Sequence, residues 1–296
     1  SEQLIKEGYQ VTAIDNFDPF YDREIKEQNI AWLLKQDNYK LLEIDILDLK
    51  KMRAVLRKPI DTIVHIAAKA GVHASVKNPV ECQKVNVIGT QNLLEIAREL
   101  EIKQFVFASS SSVYGENPNV PWKESDRELL PISPYASSKL SCEMLGHVYT
   151  SLYGIRFIAL RFFTVYGPRQ RPDLAIYKFA KMILNDEEIT QYGDGSSRRD
   201  YTYIDDILTG VRAAMEYDKS LFEVINLGNC RTISLSEMIA TIAEVFEKQA
   251  KIKILPMQPG DVPVTFADVS KAKELLGYEP RTSFKEGIEK FRDWLL

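Results

Sequence analysis

Short apolar stretches ending in polar residues alternate along this chain with longer stretches whose apolar positions recur every three to four residues. The short stretches fall at 9–15, 40–45, 62–67, 105–109 and 157–163, and they read as strands buried on both faces. Helical periodicity fills the intervals, above all over 80–100 and 135–153. A strand, helix, strand order implies right-handed crossovers and a parallel sheet, so the pattern predicts a doubly wound α/β (Rossmann-type) fold. Ligands of such folds sit beyond the carboxyl ends of the strands, which makes the residues just after each stretch the place to seek chemistry.

The rhythm changes after Gly167. Residues 168–199 are rich in Arg, Gly and polar side chains, and only 175–185 has a clear helical face, so this segment reads as a substrate-binding excursion. A helix over 204–217 and a strand over 222–227 return to the sheet, and 234–296 reads as helices around a short strand. The organisation expected is a dinucleotide-binding domain of residues 1–166 plus 200–228 and a smaller, C-terminal substrate domain of 167–199 plus 229–296. Residues 1–8 (SEQLIKEG) read as the back half of an amphipathic helix closed by a glycine, and no glycine-rich turn precedes the first strand. The expectation is therefore that the first strand of the fold and its glycine loop are missing from the chain as given.

Composition narrows the partners. The 296 residues are 45% hydrophobic and 27% charged with a net charge of -4, an ordinary globular balance with no basic footprint for nucleic acid, so small molecules are the expected ligands. Cys82, Cys142 and Cys230 are far apart and lack CxxC spacing, which disfavours a disulfide framework or a zinc site and suits a reducing cytoplasm. His65, His73 and His147 show no ligand spacing, so no metal is expected. No apolar stretch is long enough to span a bilayer, and the N-terminal residues lack the order of a signal peptide.

The chemistry begins at Asp15, which ends the first strand where a dinucleotide fold places a carboxylate for the adenosine ribose hydroxyls. That acceptor would repel a 2'-phosphate, so NAD is expected over NADP; taken alone, a strand-end Asp is more often a turn former. Asp45 and Ile46 follow the second strand and could face the adenine. Ala67, Ala68 and Lys69 follow the third, with side chains small enough for close backbone approach to a pyrophosphate or for tight helix packing. Asn86 lies in a helical segment of low polarity, where its amide needs partners, and is expected to brace the strand carrying the serines. The strongest local signal is Tyr135 with Lys139, four residues apart and hence on one helix face. A neighbouring ammonium and an oxidised nicotinamide both favour phenolate, which would turn Tyr135 into a base near neutrality. The serines of SSSSVYG (109–115), at the end of the strand upstream, offer a hydroxyl to the oxygen that Tyr135 deprotonates.

SSSSVYG and YASSK (135–139) are accompanied by HIAAKAGVHASVKNP (65–79), VNVIGT (85–90), LRFFTVYGPRQRPD (160–173), GDGSSRRDYTYIDD (193–206) and QPGDV (258–262). With these motifs the whole chain resembles the extended short-chain dehydrogenase/reductase family, and within it the nucleotide-sugar 4-epimerases, most of all those of UDP-glucuronate. The resemblance implies bound NAD and a UDP-sugar substrate. It implies that Ser110 and Tyr135 handle the sugar 4-hydroxyl, that Lys139 holds the nicotinamide ribose, and that Ser109 and Phe162 join Asp15, Asp45, Ile46, Ala67, Ala68, Lys69 and Asn86 around the cofactor. Arg199, Asp261, Tyr177 and Lys178 are implied on the UDP side. It also implies a homodimer through the helices over 80–100 and 135–153.

The same resemblance places Ser111, Ser112, Thr164 and Arg171 against the substituent at sugar C5, where a guanidinium fork suits a carboxylate. Arg169 is the alternative arginine. Gln258 stands where galactose epimerases usually place a diphosphate-binding Arg, and His73 stands where the glucuronate group commonly has Arg. Dehydratases and the decarboxylase of this family carry an acid just after the catalytic hydroxyl, whereas here Ser111 and Ser112 follow it, which argues for simple epimerisation. Two readings stay beside this one: a 4-epimerase of UDP-galactose or an N-acetylated UDP-hexose, and a non-catalytic NAD or nucleotide sensor.

Overall fold

The computed structural model describes residues 1–256 and 262–296. Strands form close to where the apolar stretches place them, at Val11–Asp15, Tyr39–Glu43, Thr62–His65, Gln104–Ser110, Arg156–Phe162 and Phe222–Leu227, and every pairing among them is parallel. The last four are hydrogen-bonded in the order Phe222–Leu227, Arg156–Phe162, Gln104–Ser110, Thr62–His65, while the first two form a separate two-stranded sheet. Every residue of Gln104–Ser110 is buried, but Val11–Asp15 and Tyr39–Glu43 contain no buried residue. Burial on both faces thus holds at the centre of the four-stranded sheet and fails in the two-stranded one, where both strands are edges.

Alternation along the strands divides the larger sheet between two cores. Phe105, Phe107, Phe157 and Ala159 pack toward the helices Gly89–Glu99 and Pro134–Tyr153. Val106, Ile158, Leu160, Ile225 and Leu227 pack toward Ile204–Glu216 and Ser270–Leu276. Helices on both faces of a parallel sheet give the doubly wound architecture that the pattern predicts. Pro134–Tyr153 starts at Ser133, whose hydroxyl accepts from the Ala136 N–H, with Pro134 in the first turn, and it ends at Gly154 in the left-handed region. It lies close on the sheet because Gly146 has no side chain: a Cβ there would sit 2.3 Å from the Phe157 ring.

The segment expected as one helix over 80–100 is three pieces, Pro79–Gln83, a π-helical turn Lys84–Ile88 and Gly89–Glu99. Such turns insert a residue into the helical ladder and are frequent at functional sites; this one contains Asn86. A third core gathers Ala175–Leu184, Leu235–Val245 and Phe284–Leu295 through Ile176, Ile183, Met238, Ile242, Ile288 and Phe291. Short strand pairs tie it to the sheet: Thr164–Tyr166 with Tyr201–Tyr203, Glu188–Tyr192 with Lys251–Leu255, and Arg198–Arg199 with Ile233–Ser234. Ser270–Leu276, although late in the chain, packs against the four-stranded sheet through Ala272. Among the described residues no helix is long and apolar enough to cross a membrane, and no cluster of His, Cys, Asp or Glu could hold a metal.

Candidate active site

The carboxyl ends of the parallel strands meet the N-terminal turns of Pro134–Tyr153. Ser110 is the last residue of its strand, and its Oγ accepts the Ser112 N–H at 3.2 Å and donates to Ser112 Oγ at 3.1 Å. The Tyr135 phenol lies near enough to the Ser110 side chain to be influenced by it. One turn on, Lys139 is 3% exposed and its Nζ donates to the Ala108 carbonyl at 2.6 Å, 4.8 Å from the Phe107 ring centroid and 5.8 Å from that of Tyr135. Burial lowers the Lys139 ammonium from 10.5 to about 8.

Tyr135 corrects one expectation. Burial, the largest influence, raises its phenol above the ordinary value of 10, while the Ser110 side chain and the positive charge of Arg171 pull it down. The Lys139 ammonium, 5.8 Å from the Tyr135 ring centroid, is hydrogen-bonded to the Ala108 carbonyl. The protein's own groups therefore hold Tyr135 as a neutral phenol, and Arg171 is the cation that opposes burial.

Behind these groups lies a buried polar network that sequence reasoning missed. Ser109 Oγ donates to Glu143 Oε1 at 2.5 Å, and Arg161 grips the same carboxylate with Nε at 2.9 Å and Nη2 at 2.8 Å. The Arg161 guanidinium lies 4.8 Å from the Tyr114 ring centroid, and Tyr114 Oη donates to Asn226 Oδ1 at 2.8 Å. Arg161 and Ser109 are direct cross-strand partners, so one carboxylate from the helix clamps two adjacent strands. A signal was present: Glu143 stands one turn past Lys139, and Arg161 is a charge inside an apolar stretch, which requires a partner.

Asn86 braces a different element from the one expected. Its Oδ1 accepts the Lys69 N–H at 2.7 Å, and its Nδ2 donates to Lys69 O at 3.2 Å and to Ser138 Oγ at 2.8 Å. It thus joins the loop after Thr62–His65 to the helix bearing Tyr135, and the serine strand is not among these contacts. The Asn86 carbonyl accepts from Thr90 Oγ1 at 2.6 Å, which leaves that hydroxyl oxygen to accept from His65 Nε2 at 2.9 Å. Burial, aided by Lys139, lowers His65 to about 3, so the imidazole is neutral.

On the cofactor side, Asp15 is exposed at its strand end and takes the Phe17 N–H on Oδ1 at 2.7 Å. Asp45 serves its own turn, accepting from Leu47 N at 2.8 Å and from Asn16 Nδ2 at 2.9 Å. Ile46 is buried in the core against Gly89, where a Cβ would approach its side chain to 2.4 Å, so its side chain supports a helix and does not face the crevice. Ala67 is exposed and Ala68 half-buried, and the Lys69 Nζ pairs with Asp18 at 2.5 Å. Phe162 ends its strand and packs partly on the core that contains Val106, Leu160 and Ile225. An exposed carboxylate, small residues and the tyrosine–lysine pair, all at strand ends or just beyond them, are a donor and acceptor set that fits a nicotinamide dinucleotide.

On the opposite side, Ser111 and Ser112 begin a short 3-10 turn and Thr164 opens the strand Thr164–Tyr166. Arg171 donates to Ala70 O at 3.3 Å, pairs with Asp173 at 3.1 Å and lies within electrostatic reach of Tyr135. Arg169, the alternative, is held at the surface by Glu2 at 2.6 Å. Tyr177 packs its ring on Phe291 and Trp294, which gives it a core role, while Lys178 is exposed. Arg199 is half-buried in its strand and donates to Arg198 O at 3.0 Å. His73 is exposed on the helix Val72–Lys77. Asp261 and Gln258 lie outside the described residues.

A parallel sheet with helices on both faces and a Ser–Tyr–Lys set at its strand ends defines an extended short-chain dehydrogenase/reductase. The chain belongs to the family described as GDP-mannose 4,6 dehydratase, which it matches over residues 1–291. It is 40% identical over 297 residues to the UDP-glucuronate 4-epimerase of Thermodesulfobacterium geofontis, a match covering 99% of this chain and 90% of the relative. The UDP-glucuronic acid 4-epimerase of Bacillus cereus, solved with UDP-glucuronic acid and NAD, superposes with a TM-score of 0.89 at 37% identity, covering 99% of this chain and 93% of that one. The UDP-glucose 4-epimerase of Thermotoga maritima, solved with UDP-glucose, gives 0.88 at 32% identity, covering 99% and 93%.

Proposed function

We infer that this chain is an NAD-dependent epimerase acting at C4 of a UDP-hexose, with UDP-glucuronate as the preferred substrate and UDP-galacturonate as the product. The observation that carries the reading is the junction of Ser110, Tyr135 and Arg171 at the strand ends. In this reading the positive charge of oxidised NAD beside Tyr135 would offset burial and favour its phenolate, which then takes the proton of the sugar O4, with Ser110 hydrogen-bonded to the same oxygen. NAD, held beside Asp15, Ala67, Ala68 and Lys139, would supply reversible hydride transfer at C4. Lys139 adds a buried positive charge one helical turn from Tyr135, placed to hold the nicotinamide ribose. The 4-keto sugar pivots about its link to UDP, which asks the protein to grip UDP firmly, through Arg199 and Asp261, and the sugar loosely.

Arg171, with Ser111, Ser112 and Thr164, is assigned to the C5 carboxylate. A 4-ketoglucuronate is a β-keto acid, and it keeps its carbon dioxide only while the carboxylate lies near the carbonyl plane, so a guanidinium fork there supplies orientation as well as affinity. Exposed Val80, Ile88, Met144, Val148 and Leu152 on Pro79–Glu99 and Pro134–Tyr153 support a homodimer through these helices. The unpaired cysteines support a cytoplasmic setting. The test is turnover of UDP-glucuronate, UDP-glucose and UDP-N-acetylglucosamine by the NAD-loaded protein. Preference for the uronate is expected, and preference for a neutral sugar would reject the carboxylate assignment.

A further inference from the structure

Two segments distant in sequence converge on Arg171. The loop after Val11–Asp15 brings Phe20, whose ring centroid lies 5.2 Å from the guanidinium carbon. The same loop is tied down by Asp18, which pairs with Lys69 at 2.5 Å, and by Lys26, which donates to the Asp18 carbonyl. The residue after Lys69, Ala70, offers its carbonyl to Arg171 at 3.3 Å, and Asp173 holds the guanidinium from its own segment at 3.1 Å. Phe20 is 48% exposed although large and apolar, and its neighbour Asp18 is fixed by two partners, so the ring is presented to Arg171 by a braced loop. A guanidinium stacked on an aromatic face loses rotational freedom while its edge stays available for a bidentate carboxylate.

We propose that Phe20 is a positioning residue for Arg171, so that the loop following the cofactor-side Asp15 sets how well the enzyme distinguishes a UDP-uronate from a neutral UDP-hexose. This rests on the assignment of Arg171 to the sugar carboxylate. The effect is selective in KM because Phe20 acts through the group that meets the carboxylate, whereas any influence of the Arg171 charge on Tyr135 is common to both sugars and cancels in their comparison.

The experiment measures kcat and KM of the NAD-loaded enzyme with UDP-glucuronate and UDP-glucose for Phe20→Ala, Phe20→Leu, Phe20→Tyr and Arg171→Met. A half-exposed cation–π contact is worth roughly a factor of 2 to 5. Phe20→Ala and Phe20→Leu should raise KM for UDP-glucuronate by about that factor, leave KM for UDP-glucose unchanged, and recover in Phe20→Tyr, while Arg171→Met should remove the preference for the uronate. If Arg171→Met removes the preference but Phe20→Ala and Phe20→Leu change neither substrate, or both equally, the role of Phe20 is overturned and the carboxylate assignment stands. If Arg171→Met keeps the preference, the assignment fails and the proposal with it.

Discussion

Replacing Lys139 by Met should stabilise the cofactor-free protein while abolishing its activity. The ammonium is 3% exposed and donates to the Ala108 carbonyl, while the nearby Glu143 carboxylate is engaged by Arg161 and Ser109. The fall from 10.5 to about 8 is 2.5 units, which at about 1.4 kcal/mol each costs the folded state roughly 3 kcal/mol at pH 7. Methionine keeps the stem and removes the charge, and it loses one hydrogen bond of about 1 kcal/mol, so a net gain of about 2 kcal/mol is expected. The sign follows from proton counting. Below pH 8 both states are protonated and the whole cost is present; from about 8 to 10.5 the unfolded state binds more protons, so the parent's stability rises with pH. Urea unfolding of both proteins at pH 7 and pH 9.5 should therefore show an advantage for Lys139→Met that shrinks at the higher pH, together with a turnover loss of at least about 100-fold. A Met variant less stable than the parent at pH 7, or an advantage independent of pH, would refute the reasoning.

Other outcomes follow from the same geometry. Tyr135→Phe should lower turnover by roughly 10² to 10⁴ while titration with UDP shows nearly unchanged binding; more than about a hundredth of the rate remaining would remove Tyr135 as the base. Glu143→Ala should destabilise by about 3–5 kcal/mol in denaturant because it strands the Arg161 guanidinium, whereas Glu143→Leu combined with Arg161→Met should recover most of the loss; equal instability of both variants would show that packing, and not the charge pair, is at stake. Two buried groups oppose each other in acid. His65, lowered to about 3 from 6.5, makes stability rise with pH between those values, and Asp200, raised by burial from 3.8 to about 6, makes it fall with pH between 3.8 and 6. His65→Phe removes the first trend, so thermal stability of the variant should rise less steeply with pH between about 3 and 6.5 than that of the parent; an unchanged slope would contradict the assignment.

Much of the fold is legible in the sequence because apolar periodicity is set by burial, and the central strands are buried on both faces. Gln104–Ser110, Arg156–Phe162 and Pro134–Tyr153 lie within a residue or two of their expected limits. The short elements were not legible. Thr164–Tyr166, Arg198–Arg199 and Tyr201–Tyr203 are two or three residues long and are defined by partners remote in sequence, so no local period announces them. The limits of the helices Arg23–Ile30 and Leu49–Val55 were not legible because the helices are short, and the first buries no residue.

In the site, Tyr135, Lys139 and Ser110 could be found because one helical turn and one strand end fix their geometry. The direction of the Lys139 ammonium could not be found that way. It depends on which carbonyl the buried stem reaches, here that of Ala108. The packing of Ile46 and Tyr177 could not be read either: tertiary contacts turn the first side chain into a core and set the second ring on Phe291 and Trp294. Phe20 carried no sequence signal, since a single aromatic residue in a loop acquires meaning only from the arginine, 151 residues later, that it meets.

The central claim is that the hydrogen at C4 leaves and returns to the same carbon without meeting solvent. UDP-glucuronate deuterated at C4, incubated with the NAD-loaded enzyme in ordinary water and followed by proton NMR, tests it directly. The account predicts UDP-galacturonate that keeps its deuterium at C4; product carrying solvent hydrogen there, or no inversion of the uronate, would contradict it.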